Sequence, residues 1–334
     1  MRRLSLLLLL LLPSLAAWAT GGRDSLSVIR RVDNSLYRRY HRSNVDTAYI
    51  AIPEQRWRFS TAATGSMNFL QLSHLENGAG FQIKLNSAPT YSQDFTVAWH
   101  GLSVGAGINP AWFFPRLKNS DQAYTFSLSD NMFGMVATIR ITNSLQGQVI
   151  SLPDSTVTAI PAGHARDLTA SFDAYYALNG KRFSMPAAFS QSQIQKKSAG
   201  SVLLSASLRS SISGISPVAG YLRDSTAVLS HMLSLGGGYG HNFVTPHHWL
   251  LHVSFVTNLT VLQYTRLTEG LRQQRMQQTF PDFVSNLQLA ALHWTDHWFY
   301  GAYATIRSSI YGDIRRYDFN NTRWVTSIFV GYRL

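Results

Sequence analysis

The sequence predicts an all-β fold, a transmembrane antiparallel up-and-down β-barrel of about 12–14 strands. Three observations predict it: an N-terminal export signal, apolar and polar residues that alternate along many segments, and few charged residues in a chain with aromatic residues throughout. Because successive side chains of a strand point to opposite faces, a strand between lipid and a polar lumen alternates in this way.

The first residues have the pattern of a secretory signal peptide. Arg2 and Arg3 precede an apolar run from Leu4 to Leu12, and the small-residue site Ala17-Trp18-Ala19 follows. This run is shorter than the ~20 apolar residues that a membrane-spanning helix needs. We therefore predict that residues 1–19 are a signal peptide, and that the mature chain resides in the outer membrane of a Gram-negative bacterium.

Residues 20–55 form the next predicted segment, on the periplasmic side of the membrane. Apolar residues recur in it at helical spacing, from Val28 and Ile29 to Leu36 and Tyr40, and arginines surround them. This pattern indicates a short basic amphipathic helix that lies on a membrane surface. A helix that packs under the mouth of the barrel is an equally open alternative.

Residues 56–334 form the predicted barrel. In the last segment, Trp324 and Ile328 lie on one face of the strand, while Arg323 and Arg333 lie on the other. Similar runs occur at 57–74, 80–87, 93–99, 102–109, 121–129, 132–142, 168–178, 181–191, 200–212, 229–244, 248–264, 282–294, 297–309 and 321–334. Short and long connections do not alternate cleanly between these runs, so we expect one run to be miscounted, and twelve strands fit as well as fourteen.

The composition limits the classes of partner. Charged residues are 14% of the chain, against roughly 25% in soluble globular proteins. There is no cysteine, so neither disulfides nor thiol chemistry is expected. The net charge is +12, but export makes nucleic acid the least expected partner of this basic chain. We expect outer-membrane lipids and the barrel-assembly machinery as partners, an unidentified solute, and no cofactor.

Seven charged side chains fall on the predicted lumen face when the alternation is extended along the strands. They are Lys84, Asp94, Arg140, Asp173, Arg209, Arg307 and Arg333. A charge that faces lipid at mid-depth costs about 2–4 kcal/mol, so these residues are expected to point inward. They either form ion-pair networks that fill a narrow barrel or line a water path that favours anions.

Histidines supply the candidates for chemistry. His252 and Ser254 share one strand face, as a catalytic base and nucleophile would, but no third group that orients the histidine is evident nearby in sequence. His247 and His248, with His241 or His252, lack a recognisable metal-ligand spacing. We therefore predict no catalysis and no metal site, and we keep His252 and Ser254 as a low-probability catalytic pair.

Five segments carry a resemblance to a known family. They are Val45–Ile50, Pro53–Trp57, Tyr175–Ser184, Ala187–Phe189 and Gln195–Ser201. In these segments the chain resembles a Bacteroidetes outer-membrane β-barrel family of unknown function. The resemblance implies an outer-membrane barrel and supplies no substrate, reaction or catalytic residue.

Three classes of function stay open at this point. The preferred interpretation is an integral outer-membrane barrel without catalysis, either a narrow pore for small anionic solutes or a structural or surface-interaction barrel. The alternative is an outer-membrane lipid-modifying enzyme. The third is a soluble exported β-barrel that binds a small ligand.

Overall fold

A computed structural model describes residues 30–31, 33–35, 37–38, 44–76, 79–87, 89–108, 121–152, 154–217, 225–276, 282–313 and 317–334. The chain divides into two compact units, Met1–Ser43 and Asn44–Leu334. In the first unit the described residues are helical, in agreement with the predicted helix, whereas the predicted signal peptide lies outside the described residues.

The second unit is built almost wholly from antiparallel strands. The strands are β1 (Ile50–Ala51), β2 (Trp57–Glu76), β3 (Ala79–Ser87), β4 (Thr90–Trp99), β5 (Leu102–Ile108), β6 (Gln122–Ser129), β7 (Phe133–Leu152), β8 (Val157–Ala177), β9 (Ile194–Gln195), β10 (Ala199–Ile215), β11 (Thr226–Val244), β12 (Trp249–Glu269), β13 (Arg272–Met276), β14 (Phe283–Trp294), β15 (Trp298–Asp313) and β16 (Tyr317–Arg333). A single short helix, α1 (Pro186–Phe189), is described in this unit.

Twelve of these strands close into a ring. The order around it is β2, β4, β5, β6, β7, β8, β10, β11, β12, β14, β15 and β16, and β16 pairs with β2 along most of its length. In the terminal part of the ring, closure gives each strand a hydrogen-bonded neighbour on both sides, as a closed barrel requires. The predicted all-β barrel of about 12–14 strands is confirmed.

The barrel has two distinct halves. We call the end at which the backbones of Trp57 and Leu334 pair the terminal end, and the opposite end the distal end. In the terminal half, β2 pairs with β4 from Trp57 to Ser66; in the distal half, it pairs with β3 from Phe69 to Glu76. Strand β3 also pairs with the distal part of β7, so it bridges β2 and β7 directly. This bridge is a departure from a simple up-and-down order.

Apolar side chains cover the outside of the terminal half. Trp324, Ile328 and Val330 of β16 and Leu334, which follows β16, are exposed, and Ile328 is 69% exposed. The same arrangement occurs on β12, where Trp249, Leu251, Val253 and Phe255 are exposed and the intervening side chains are buried. We call this outward apolar surface of the terminal half the belt.

The apolar face reverses in the distal half of the sector formed by β16, β2, β3 and β7. Here most inward side chains are apolar and packed together, whereas most outward side chains are polar. The buried cluster comprises Leu70, Ile83, Leu85, Leu145, Val149, Ile160, Ala165, Met232 and Phe319. Its members come from strands on several sides of the barrel, so the cluster fills the distal lumen of this sector.

Two sequence predictions need correction. Residues 181–191, predicted as a strand, form turns and helix α1 instead, because the segment folds into the lumen and lies outside the strand ladder. Residues 143–167, predicted as a long connection, belong largely to β7 and β8, whose register shifts between Thr142 and Gly147. These two changes explain why the predicted connections did not alternate in length.

Candidate functional site: the lumen and its plug

The connection between β8 and β10 closes the terminal end of the lumen. Within this connection, α1 starts at Pro186. Proline has no backbone N–H, and at the first position of a helix this group would have no partner within the helix, so proline is well suited there. The Ala187 N–H donates a hydrogen bond to Ser184 Oγ at 3.1 Å, which fixes the first turn. Ala187 and Ala188 are buried against Leu250 and Leu292 of the barrel wall. We call residues 183–195 the plug.

Buried polar side chains tie the plug to the wall. Asn242 of β11 donates through Nδ2 to the Ser184 carbonyl at 2.8 Å and to Gln195 Oε1 at 3.0 Å. Gln195 Nε2 donates in turn to the Arg182 carbonyl at 2.6 Å and to the Lys197 carbonyl at 2.9 Å. Because buried polar groups are costly when unpaired, this network defines one position for the plug.

A second anchor comes from the C-terminal strand. Arg333 is fully buried, and its Nη2 donates to Gln191 Oε1 at 3.0 Å, while Nη1 donates to the Thr295 carbonyl at 2.9 Å. Its guanidinium also lies 5.0 Å from the ring centroid of Phe299. Arg333 therefore points into the lumen and holds the plug, away from the belt.

The plug network includes the candidate catalytic pair. His252 Nε2 lies 3.0 Å from Ser254 Oγ, and His252 Nδ1 lies 2.7 Å from Asn242 Oδ1. Asn242 is the third group that the sequence analysis missed. Asn242 lies opposite His252 in the pairing of β11 with β12. The two residues are equally distant in sequence from the turn at His247. The register of this hairpin is therefore the sequence signal that could have located Asn242.

The surroundings of this triad are unlike those of an accessible nucleophile. Asn242, His252 and Ser254 are 0%, 3% and 1% exposed, and the rings of Phe183 and Phe189 pack against the imidazole. A cavity on the distal side of the plug is lined by Phe189 but not by His252 or Ser254. The arrangement resembles a hydrolytic triad in its hydrogen bonds, but here those bonds connect the wall to the plug.

We expect His252→Ala to lower the free energy of unfolding by about 1–3 kcal/mol, because Asn242 Oδ1 loses a buried partner. The measurement is urea unfolding of the reconstituted protein, and His247→Ala, at an exposed turn, is the control. We also expect the unmodified protein to release no fatty acid from phospholipid. Hydrolysis that Ser254→Ala abolishes without loss of folding would contradict this prediction.

On the distal side of the plug lies a chamber of about 460 Å³ that both apolar and polar side chains line. Met185, Pro186 and Phe189 of the plug form its terminal wall. Four of the predicted lumen-facing residues line it: Asp94, Arg140, Asp173 and Arg307. The chamber is thus an enclosed part of the lumen that is lined by ionisable side chains.

Charged side chains cross the lumen at the height of the chamber. Arg307 Nη1 of β15 lies 2.8 Å from Asp173 Oδ2 of β8, and Arg307 Nη2 donates to Ser207 Oγ at 2.7 Å. Strands β8 and β15 are separated in the ring by β10, β11, β12 and β14, so the ion pair joins opposite walls. Arg209 reaches Ser309 across the lumen at 3.4 Å in the same way. The Arg307–Asp173 contact is an ion pair, and the Arg209–Ser309 contact is a hydrogen bond to a hydroxyl group.

Lys84 is the exception among the seven charged residues expected inside. It is exposed on the outer face of β3, opposite the buried Ile83 and Leu85. The prediction for Lys84 was wrong because β3 lies in the distal half, where the apolar face points inward.

Neither a metal site nor a membrane-spanning helix is found among the residues that the structure describes. They contain no group of three side chains arranged to hold a metal ion, and His247 and His248 are exposed at the turn between β11 and β12. No helix within the described ranges has the length and apolarity needed to cross a bilayer.

Solved structures that resemble this chain are outer-membrane β-barrels, at low identity. The outer membrane protease OmpT from Escherichia coli has 7% identity and a TM-score of 0.45, with 84% of this chain and 97% of that chain covered. The β domain of the Bordetella autotransporter BrkA has 10% identity and a TM-score of 0.35, with 82% and 99% covered. The P. putida toluene transporter TodX has 10% identity and a TM-score of 0.29, with 84% and 91% covered. At such scores the likeness carries no argument about activity.

Sequence comparison gives a family without an assigned activity. No curated protein matches the chain. The model of a family described as Domain of unknown function (DUF4421) matches residues 44–334, which is the whole of the barrel unit with its plug. The match spans most of the chain, so the protein belongs to the DUF4421 family.

Proposed function

We propose that this protein is an integral outer-membrane β-barrel with a closed lumen, whose distal half stands outside the bilayer as an interaction surface. The observation that carries the proposal is the reversal of the apolar face along β16, β2, β3 and β7, between their terminal and distal parts. A surface in lipid must be apolar, whereas a surface in water is polar over a packed apolar interior. The reversal therefore supports lipid around the terminal half and water around the distal half.

The dimensions of the strands support the same boundary. The belt on β16 runs from Trp324 to Leu334, close to the ~9–11 residues that a tilted membrane strand needs. Strand β2 has 20 residues and β8 has 21, about twice that number. Half of each long strand thus extends beyond the bilayer.

Two tight turns support an orientation of the barrel. At the terminal end β4 joins β5 and β14 joins β15 by tight turns, at His100-Gly101 and around Asp296, as periplasmic turns do. We therefore place the end of the barrel that carries Trp57 and Leu334 in the periplasm and the distal half at the cell surface. Export by the signal peptide at residues 1–19, folding by the barrel-assembly machinery and an origin in Bacteroidetes are parts of this proposal.

A closed lumen favours the structural or surface-interaction role over the narrow pore. The plug, the Arg307–Asp173 pair and the distal apolar cluster occupy three successive levels of the lumen. A solute would have to displace all three to cross. The burial of Ser254 likewise disfavours the lipid-modifying enzyme, and the belt disfavours a soluble barrel.

Planar-bilayer recording of the refolded mature chain tests the proposal. We expect the protein to insert, as judged by faster gel migration before heating, and to show no steady conductance. An open porin reconstituted in the same way is the positive control. A stable ohmic current would contradict the closed lumen, and recovery as a soluble periplasmic protein would contradict the membrane location.

A further inference from the structure

The outer wall of the distal half carries a groove that polar and apolar residues line in similar measure. It runs across β16, β2, β3 and β7 and encloses about 560 Å³. The groove lies on the outer side of the sheet, whereas the plug and the chamber lie on the inner side. The contacts of the plug and the chamber therefore do not involve the groove.

Carboxamide side chains line this groove in register. In the row farther from the belt, Asn320 pairs with Gln71, Gln71 with Lys84, and Lys84 with Gln148 on four adjacent strands. In the next row, Asn86 of β3 pairs with Gln146 of β7. Neighbouring strands lie about 4.8 Å apart, so the four strands present a regular array of amide groups.

The chemistry of the array fits a saccharide. Each carboxamide offers two N–H donors and an acceptor oxygen, and sugar hydroxyls likewise donate and accept. Phe69, which is 40% exposed, adds an aromatic ring against which a sugar ring can pack. Lys84 is the one charged side chain that lines the groove among the described residues, and it suits a single phosphate or carboxylate.

The groove is backed by a rigid floor. Leu70, Ile83, Leu85 and Val149, on the inner side of the same strands, are buried in the distal apolar cluster. At Gly147, an added Cβ would lie 1.9 Å from the Lys84 carbonyl oxygen, so glycine is required for β7 to approach β3 this closely. Packing and close strand spacing thus hold the amide array in one shape.

The height of the groove indicates the source of the saccharide. Thr322, at its edge, lies two residues from Trp324, an exposed aromatic residue at the distal limit of the belt on β16. Aromatic residues of membrane barrels concentrate at the level of the lipid headgroups. The groove therefore opens where the headgroups of the surrounding outer leaflet would stand.

We propose that the groove formed by Gln71, Lys84, Asn86, Gln146, Gln148 and Asn320 binds the saccharide headgroup of an outer-membrane glycolipid. The amides bond to sugar hydroxyls, Phe69 packs against a sugar ring, and Lys84 pairs with one phosphate or carboxylate of the headgroup. The inference rests on the proposed membrane location, since it takes the ligand from the leaflet around the barrel.

The test is titration of the refolded protein with rough lipopolysaccharide in a sugar-free, uncharged detergent, with the dissociation constant read by thermophoresis. The combined substitutions Asn86→Leu and Gln146→Leu are expected to weaken binding about tenfold or more, because several hydrogen bonds are lost. Lys84→Gln is expected to weaken it less. The matched controls, Gln274→Leu and Arg272→Gln on exposed β13, are expected to bind like the unmodified protein.

Equal weakening by the control substitutions, or unchanged binding by the groove variants, would overturn the site. Binding of phosphatidylglycerol as tight as that of lipopolysaccharide would show anion attraction alone and overturn the saccharide. Equally tight binding of the free core oligosaccharide would overturn the lipid source. A protein that binds lipopolysaccharide in detergent but fails to insert into bilayers would contradict the proposed location and not the groove.

Discussion

Ile328→Arg is expected to lower the free energy of unfolding of the membrane-inserted barrel by about 2–4 kcal/mol. Ile328 is 69% exposed on β16, four residues from Trp324 and six from Leu334, so it lies near the middle of the belt. A cation at this depth has no lumen to reach and must remain in hydrocarbon or distort the bilayer around it. The substitution thus tests whether the terminal half is in lipid.

Urea unfolding in phospholipid vesicles, followed by the gel shift of the folded barrel, measures this effect. Leu271→Arg is the matched control, because Leu271 is a fully exposed aliphatic residue at the distal turn between β12 and β13. We expect the control to change stability by less than about 0.5 kcal/mol. Equal stability of the two variants would show that the belt does not face lipid.

Val149→Asp is expected to lower the free energy of unfolding by about 3–5 kcal/mol, because a buried charge without a partner is placed in an apolar cluster. Val149 has no exposed surface and packs with Leu85 and Leu145 in the distal lumen. In a barrel with a uniformly polar, water-filled lumen, the same substitution would be tolerated. The substitution thus tests whether the distal interior is a packed core.

Val157→Asp provides the control for this experiment. Val157 is 58% exposed and pairs with Ile150, the residue next to Val149. Val157→Asp therefore makes the same chemical change close to Val149, but at a side chain that is exposed to water. We expect it to lower the free energy of unfolding only slightly. Limited proteolysis of the distal half should follow the same order, and similar susceptibility of both variants would contradict a packed distal core.

The alternation of the sequence was sufficient to locate strands and to separate their two faces. On β12, the buried His252 and Ser254 and the exposed Leu251 and Val253 fall as the period of two requires. The alternation was not sufficient to show which of the two faces of a strand points into the barrel. Lys84 was placed in the lumen because an apolar face that packs in a core and one that faces lipid have the same sequence pattern.

The plug shows a different limit. Residues 181–191 were assigned to a strand, although Pro186 lies in their middle and proline removes a ladder hydrogen bond. Asn242, by contrast, was within reach of sequence reasoning, since the turn at His247 sets the register that brings it opposite His252. Local signals were thus present for both features.

The sequence by itself determined most of the strand segments, the apolar outward face of β16, the inward side of the strands that carries Asp94, Arg140, Asp173 and Arg307, and the shared strand face of His252 and Ser254. Only the tertiary structure decided that Arg307 meets Asp173, that the plug fills the terminal end, and that the apolar face reverses on β3. The reason is physical. A strand's own alternation is a local property, whereas contacts between opposite walls, and the side on which a face lies, exist only after twelve strands have closed into a ring.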